Sequence, residues 1–310
     1  MNALLLAIIL VIIGSFIYSA IKRLSLPLTI VIANFIVFLI LISANFLQYY
    51  ELLNDAILTL GCKPSYISSA KFYTVLTHLY LHGSIFHILI NMLFLIFIGL
   101  PFEERVGSPQ FAFVYFVSGI FAVLFNALIF YLSQGSIAQD NLGIGASGAI
   151  FGIMCSYAFL YPKDEVAAPL GFVWLPRVPI IIVAALYFGI ETLYTVMRVS
   201  DSIGHIAHLG GAIAGICIAP VLKFKLAAQL KGIKFAELEK VAEMQEELRD
   251  LLAKIKAEDL EEVRRVWLEE FFKSAKCLRC KGDFMIRKRF AKCMSCGVKI
   301  KFYSSLGKLR

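Results

Sequence analysis

Gly145-Ala146-Ser147-Gly148-Ala149-Ile150-Phe151-Gly152 sits where a polar loop (Gln139 to Gly143) gives way to an apolar run. A serine among small residues at such a turn exposes its hydroxyl while the backbone approaches a ligand closely. The elbow of soluble hydrolases needs a preceding strand and a residue between serine and glycine, and here Gly148 follows Ser147 directly. Alone, the octapeptide reads equally well as a glycine-serine surface for helix packing. Two histidine stretches elsewhere in the chain change the weighing.

The 310 residues are 59% hydrophobic and 17% charged, with mean hydropathy +0.79. A soluble domain carries about 45–50% apolar and about 25% charged residues, so most of this chain belongs in lipid. Charges are sparse from Leu24 to Leu222 and crowded from Lys223 to Arg310. The chain therefore reads as a membrane domain followed by a soluble tail, and the net charge of +8 belongs mostly to the tail and to loops rather than to a nucleic-acid footprint.

Seven spans are predicted. Residues 3–20 are uncharged and long enough for about 30 Å of hydrocarbon; no basic segment precedes them, against a cleaved signal peptide. The others cover 27–45, 85–100, 111–132, 147–161, 180–197 and 203–222. Residues 48–84 have mixed polarity and many tyrosines, suiting a partly helical interfacial element, and 162–179 reads as a loop. With Lys22, Arg23, Arg105, Lys163, Arg177, Lys223 and Lys225 on one face and Lys63, Lys71 and Arg198 on the other, positive-inside places the N-terminus outside and the tail in the cytoplasm. That orientation brings Ser147, His87, Asn91 and His208 to the outer parts of three helices. Polar side chains in spans are costly and face a bundle interior or a cavity.

Chemistry follows from those types. A serine needs a base, most often histidine. Gly204, Ala207, Gly211 and Gly215 recur at helical spacing around His208, so its helix can pack closely on the Ser147 helix through Gly148 and Gly152. The pair would form a dyad without a carboxylate, with Phe151, one turn beyond Ser147, stacking on the imidazole in its place. His87 and Asn91, four apart on one helix face, suit an oxyanion site together with the Ser147 N–H; as an isolated pair they read as an interhelical hydrogen bond.

These pieces together resemble the rhomboid intramembrane serine proteases. The matching motifs are His82-xxxx-His87-xxx-Asn91, Gly99-xxx-Glu103-xxx-Gly107, Gly145-Ala146-Ser147-Gly148 and Ala207-His208-Leu209-Gly210-Gly211, in the family's order across residues 27–222. The resemblance implies Ser147 as nucleophile, His208 as base, His87, Asn91 and the Ser147 amide as oxyanion hole, and His82, with Gly145, as support. It implies cleavage of transmembrane helices of membrane-protein substrates near the outer face, with no cofactor for catalysis. Glu103 and its flanking glycines read as structural, and His205 as packing or support. The family's Trp-Arg pair in the first loop is replaced by Tyr73-Thr74, which leaves the anchoring of that loop open. The alternative is a catalytically inactive rhomboid-like protein that binds membrane clients. A transporter is disfavoured because the polar residues gather at one depth and no internal repeat is visible.

In the tail, Leu238, Val241, Met244, Leu248, Leu251 and Ile255 recur at three-to-four spacing, predicting an amphipathic helix or helical hairpin that serves as a linker or a coiled coil. Cys277-Leu278-Arg279-Cys280, twelve residues, then Cys293-Met294-Ser295-Cys296 read as a four-thiolate structural zinc site in a ribbon, with an iron centre as rival. Strands are expected at 284–286 and 298–302, and with little core of its own the ribbon would depend on its metal. Its Lys/Arg side chains, among them Arg279, Lys281, Lys288 and Arg289, suit anionic headgroups, a nucleic acid or, as the default, plain solvation, and the ribbon could meet a cytoplasmic partner. The expected class is thus an all-α polytopic membrane protein: an extra N-terminal helix (1–23), a rhomboid-like six-helix domain (24–225), a helical linker (226–275) and a four-cysteine zinc ribbon (276–310).

Overall fold

The computed structural model describes residues 3–22, 24–135, 140–170, 173–199, 204–230, 234–258, 261–287 and 290–302. Arg23, Gln139, residues 200–203 and Lys288/Arg289 lie outside the described residues. The chain divides into two compact units, Met1–Val221 and Leu222–Arg310.

The first unit is helical. α1 (Ala3–Lys22) and α2 (Leu26–Phe46) are followed by the short helices α3 (Tyr50–Leu60) and α4 (Thr74–Thr77). α5 (Ile85–Phe94), a π turn at Leu95–Gly99 and α6 (Leu100–Val106) run on as one span, Ile85–Val106. α7 (Ser108–Leu132), α8 (Ser147–Leu160), α9 (Ile180–Val196) and α10 (His205–Leu230) complete the bundle. Five of these apolar helices are long enough to cross a bilayer; α8 and α9, at 14 and 17 residues, are shorter.

α8 is the axis. Every residue from Gly148 to Ala158 is buried, whereas α1 turns Leu10, Ile13, Ile17 and Ile21 outward, as a lipid-facing helix does. α8 packs against α7 and α9, and it meets α10 through glycines: a Cβ on Gly211 would fall on the Gly148 carbonyl, and one on Gly215 on the Gly152 carbonyl. Ser156 Oγ donates to the Gly215 carbonyl at 2.7 Å in the same seam. The small residues expected on both helices thus let two backbones touch.

Glu103 lies within α6, buried, and reaches the start of α2. There it accepts from Ser25 Oγ (2.7 Å) and the Leu26 amide (3.0 Å), supplying from another helix the cap that Ser25's own side chain does not make. The segment 162–179, expected as a loop, holds an antiparallel hairpin of β1 (Glu165–Leu170) and β2 (Val173–Pro179). Its base is tied down by Asp164, which takes a bidentate pair from Arg105 (2.7 and 3.0 Å) and the Tyr157 hydroxyl (3.0 Å).

The first loop is anchored without the Trp-Arg pair. Tyr73 points outward, but Thr74 is fully buried and donates to the Lys71 carbonyl at 2.7 Å. The Thr74 carbonyl accepts from His78 Nδ1 (2.9 Å), and the His78 carbonyl accepts from the Gly145 amide (2.9 Å). A continuous chain of hydrogen bonds therefore runs from the loop to the turn before Ser147. Burial pushes His78 down to about 4, so the ring is neutral near neutral pH, with its proton on Nδ1 because a carbonyl only accepts. Cys62 and Gly143 exchange both backbone bonds (3.0 and 2.7 Å), and Asp140 receives the Ser65 amide and hydroxyl (2.9 and 2.8 Å).

In the second unit the expected linker does not stand apart from the ribbon. α11 (Phe235–Glu243), α12 (Arg249–Ala257) and α13 (Glu261–Ser274) share one core with a three-stranded sheet, β3 (Phe284–Ile286), β4 (Phe290–Cys293) and β5 (Lys299–Lys301), in antiparallel order β3-β4-β5. Phe272 packs on Phe271, Phe284 and Phe302 at ring separations of 5.2–5.6 Å. The Gln245 side chain brackets the Lys276 backbone (3.0 and 2.7 Å). The single amphipathic pattern read in the tail is cut into short helices because its apolar faces must converge on this small sheet.

Candidate active site

Four elements position the site in the membrane unit. Gly145 adopts φ +120° at the turn before α8, a left-handed conformation that favours glycine. A Cβ there would come within 2.7 Å of His87 Nε2 and 3.8 Å of Asn91 Nδ2, so the small residue lets the loop lie against both. Ser147 begins α8, partly exposed, where the first amides of a helix have no intrahelical acceptor.

His208, buried on α10, places Nε2 2.7 Å from Ser147 Oγ. Phe151 lies parallel to its ring, 11° between planes and 4.7 Å between centroids. On α5, His87 is half-buried and Asn91 is 5% exposed, with Asn91 Nδ2 donating to the His87 carbonyl (3.1 Å); Ser84 caps that helix by accepting from the His87 amide. The structure thus brings Ser147, His208 and Phe151 into direct contact and sets His87 and Asn91 beside the Gly145 turn. His82 stands edge-on to His87 at 4.9 Å, buried, with neither ring nitrogen hydrogen-bonded. Burial, with His87 nearby, pushes it down to about 3, so it packs as a neutral ring.

A carboxylate stands beside the expected pair. Glu191 on α9 is buried, with Oε1 3.0 Å from His208 Nδ1 and Oε2 2.5 Å from His205 Nδ1. Its sequence signal was a single acid in an otherwise apolar run, costly in a membrane unless used. His78, which ties the first loop to the Gly145 turn, was also missed, since nothing local separates it from other loop histidines.

A second site lies in the tail. The four thiols of Cys277, Cys280, Cys293 and Cys296 fall within 4.8 Å of one another, with Cys277–Cys296 at 3.6 Å and Cys280–Cys293 at 3.4 Å. Zinc with four sulfurs at about 2.3 Å requires S–S edges of about 3.8 Å, so the cluster fits a tetrahedral ion with small adjustment. Each Cys-x-x-Cys turn closes alike: the Lys281 amide donates to the Cys277 carbonyl (2.8 Å) and the Gly297 amide to the Cys293 carbonyl (3.1 Å), both residues at positive φ (59° and 76°). The ribbon is therefore a pair of matched turns that aim four sulfurs at one centre and can hold a metal ion.

Comparison with known proteins finds a rhomboid domain over residues 69–224. Rhomboid-like protease 3 of Toxoplasma gondii is 30% identical over 200 residues, covering 61% of this chain and 66% of that protein. RHOMBOID-like protein 2 of Arabidopsis thaliana is 28% identical over 156 residues (48% and 42%). Inactive RHOMBOID-like protein 8 of the same plant is 30% identical over 155 residues (50% and 39%). The aligned part of the chain thus spans less than two thirds of the length of each of these relatives. The matched domain takes in half of the sequence, including Ser147, His208, His87 and Asn91, and the chain, a multi-pass membrane protein, belongs to the rhomboid family.

Proposed function

We propose that the protein is an active intramembrane serine endopeptidase that cuts transmembrane helices of membrane-protein substrates near the outer face. The observation that carries this reading is the 2.7 Å approach of His208 Nε2 to Ser147 Oγ under a parallel Phe151 ring. Ser147 is the nucleophile and His208 its general base. The Ser147 amide, His87 and Asn91 receive the oxyanion of the tetrahedral intermediate, Gly145 leaves room for them, and His82 backs His87.

Helix length supports the depth of the cut. α8 has 14 residues, about 21 Å at 1.5 Å per residue, against about 30 Å of hydrocarbon. A helix with its far end at the inner interface therefore begins below the outer one, in a polar pocket that water must fill for hydrolysis. Substrate helices with small or helix-breaking residues at the cut expose their peptide bond most readily. The orientation is N-terminus outside and tail in the cytoplasm. In the tail, Cys277, Cys280, Cys293 and Cys296 would hold a structural zinc ion, which would tie the two turns together and supply no catalytic chemistry.

The name of the inactive relative supports a second reading, a client-binding protein without turnover. One experiment separates the two. The full chain in detergent is treated with a fluorophosphonate serine probe and assayed against a transmembrane model substrate. The protease reading expects labelling and cleavage that drop to background, at least about 10⁴-fold, in Ser147→Ala and His208→Ala. Unlabelled wild type, beside a labelled membrane serine protease as control, leaves client binding.

A further inference from the structure

Glu191 is the one acidic residue of α9, a helix otherwise of membrane composition. Glu191 is buried, 8% exposed, and its carboxylate meets no lysine or arginine in the described contacts. Instead it bridges two rings on α10, one oxygen to each: Oε2 to His205 Nδ1 at 2.5 Å and Oε1 to His208 Nδ1 at 3.0 Å. His205 and His208, three residues apart, share a helix face, and their planes stand at 89° with centroids 6.4 Å apart. Tyr194 stands edge-on to His205 at 5.1 Å. A buried carboxylate is costly in a membrane and persists where it is partnered and used.

We infer that Glu191 is a positioning residue for the His208 base, held in place by His205, so that the site works as a Ser147–His208–Glu191 series and not as an isolated pair. The inference rests on the serine-protease reading above. An ionised carboxylate can only accept, so His208 carries its proton on Nδ1 and turns the Nε2 lone pair to Ser147. As Ser147 Oγ bonds to the substrate carbonyl carbon, its proton passes to Nε2 and the imidazole becomes a cation. That proton then goes to the departing amide nitrogen as the C–N bond breaks. Water repeats the transfer in the second half: its oxygen bonds to the acyl carbon, its proton passes through His208 to Ser147 Oγ, and the ester bond breaks. The charge exists on His208 only near the two transition states. An anion 3.0 Å from Nδ1 therefore stabilises them more than the resting enzyme. In the resting geometry Nδ1 lies at that distance without the alignment of a full hydrogen bond; the cation draws the contact into line. His205 holds the second oxygen and stops the carboxylate from turning away.

A merely structural Glu191 would tie α9 to α10, and its loss would lower stability or substrate affinity. A positioning role predicts a different split. Wild type, Glu191→Gln, Glu191→Asp, His205→Gln and Ser147→Ala are compared in one detergent for thermal stability, fluorophosphonate labelling rate, kcat and KM. Expected for Glu191→Gln is a fall of roughly 10- to 1,000-fold in kcat and labelling rate, with KM within about threefold. Glu191→Asp recovers part of it, and His205→Gln loses less than Glu191→Gln. If Glu191→Gln does not fold, Glu191→Asp decides: a reduced kcat at unchanged KM supports the role, and a wild-type kcat overturns it. Glu191→Gln labelled at the wild-type rate, while Ser147→Ala is not labelled, overturns the role of Glu191 and leaves the protease standing. Absence of labelling in wild type overturns both.

Discussion

Ser147 and His208 are 61 residues apart in sequence and meet at 2.7 Å, whereas Cys277 and Cys296, 19 apart, meet at 3.6 Å. The first encounter is made by packing. Two helices must touch backbone to backbone before serine and imidazole come within reach, and the glycines of α8 and α10 permit that contact. The second is made by local turns, each Cys-x-x-Cys folded on its own backbone bonds and then brought together across a three-stranded sheet. A site assembled by packing is organised before any ligand arrives. A site assembled by turns needs a ligand to hold its four like groups together. The two regions should therefore fail under opposite insults.

The largest effect is expected in the helix seam. Gly211→Val puts a branched side chain onto the Gly148 carbonyl, where no rotamer relieves the clash because the obstacle is backbone. The expected outcome is loss of Ser147 labelling to background and destabilisation of more than about 3 kcal/mol, read by thermal unfolding in detergent. Gly14→Val in α1 is the internal control, since a Cβ on Gly14 meets nothing within 4 Å; it should keep labelling and stability near wild type. Equal behaviour of the two variants would mean that the α8–α10 seam is no more sensitive to bulk than a lipid-facing helix.

Metal removal should do the reverse. A thiol-competitive chelator is expected to raise hydrogen exchange across β3 to β5 by at least about 100-fold. The residues named for the Ser147 site all belong to the membrane unit, so its labelling should stay within about twofold. The three helices temper the collapse, because Phe271, Phe272 and Leu268 bury against one another as well as against the sheet. Labelling that falls in step with exchange would mean that the tail supports the membrane site.

How much of this was legible in the sequence follows the same division. The spans, the small-residue seam and the meeting of Ser147 with His208 were readable because 3.6-residue periodicity places Gly204, Ala207, His208, Gly211 and Gly215 on neighbouring parts of one surface. The cysteines were readable because their partners are close in the chain. Glu191 was not, although a lone acid in an apolar run is itself a signal; its partners lie on a different helix, and no local pattern names them. The hairpin at 165–179 was hidden by Pro169, Pro176 and Pro179, which argue against a central strand yet are tolerated in a two-stranded ribbon where every strand is an edge. Tyr73-Thr74 suggested a loop without its usual anchor. Thr74 anchors it all the same, through the Lys71 carbonyl and through His78, contacts that depend on the loop's own fold. The shared core of tail helices and ribbon was missed because amphipathic spacing shows that a face is apolar and not what covers it.

The smallest effect sharpens the account of the ribbon. Its two turns differ at one position of equal geometry: Gly297 at φ 76° and Lys281 at φ 59°. Only the first is glycine, so the Lys281 turn carries left-handed strain of about 1 kcal/mol that the other lacks. Lys281→Gly should relieve it and stabilise the metal-loaded tail by about 0.5 kcal/mol, part of the gain being lost to the freer unfolded chain. Gly297→Ala should cost about 1 kcal/mol or more. Because Lys281→Gly also removes a positive charge next in sequence to Cys280, Lys281→Asn is the companion: it drops the same charge and tolerates the same conformation. Raised chelator midpoints in both variants locate the effect in the backbone. A rise in neither means that the positive charge near the sulfurs is worth as much as the strain it accompanies, and the two turns are matched in energy as well as in shape.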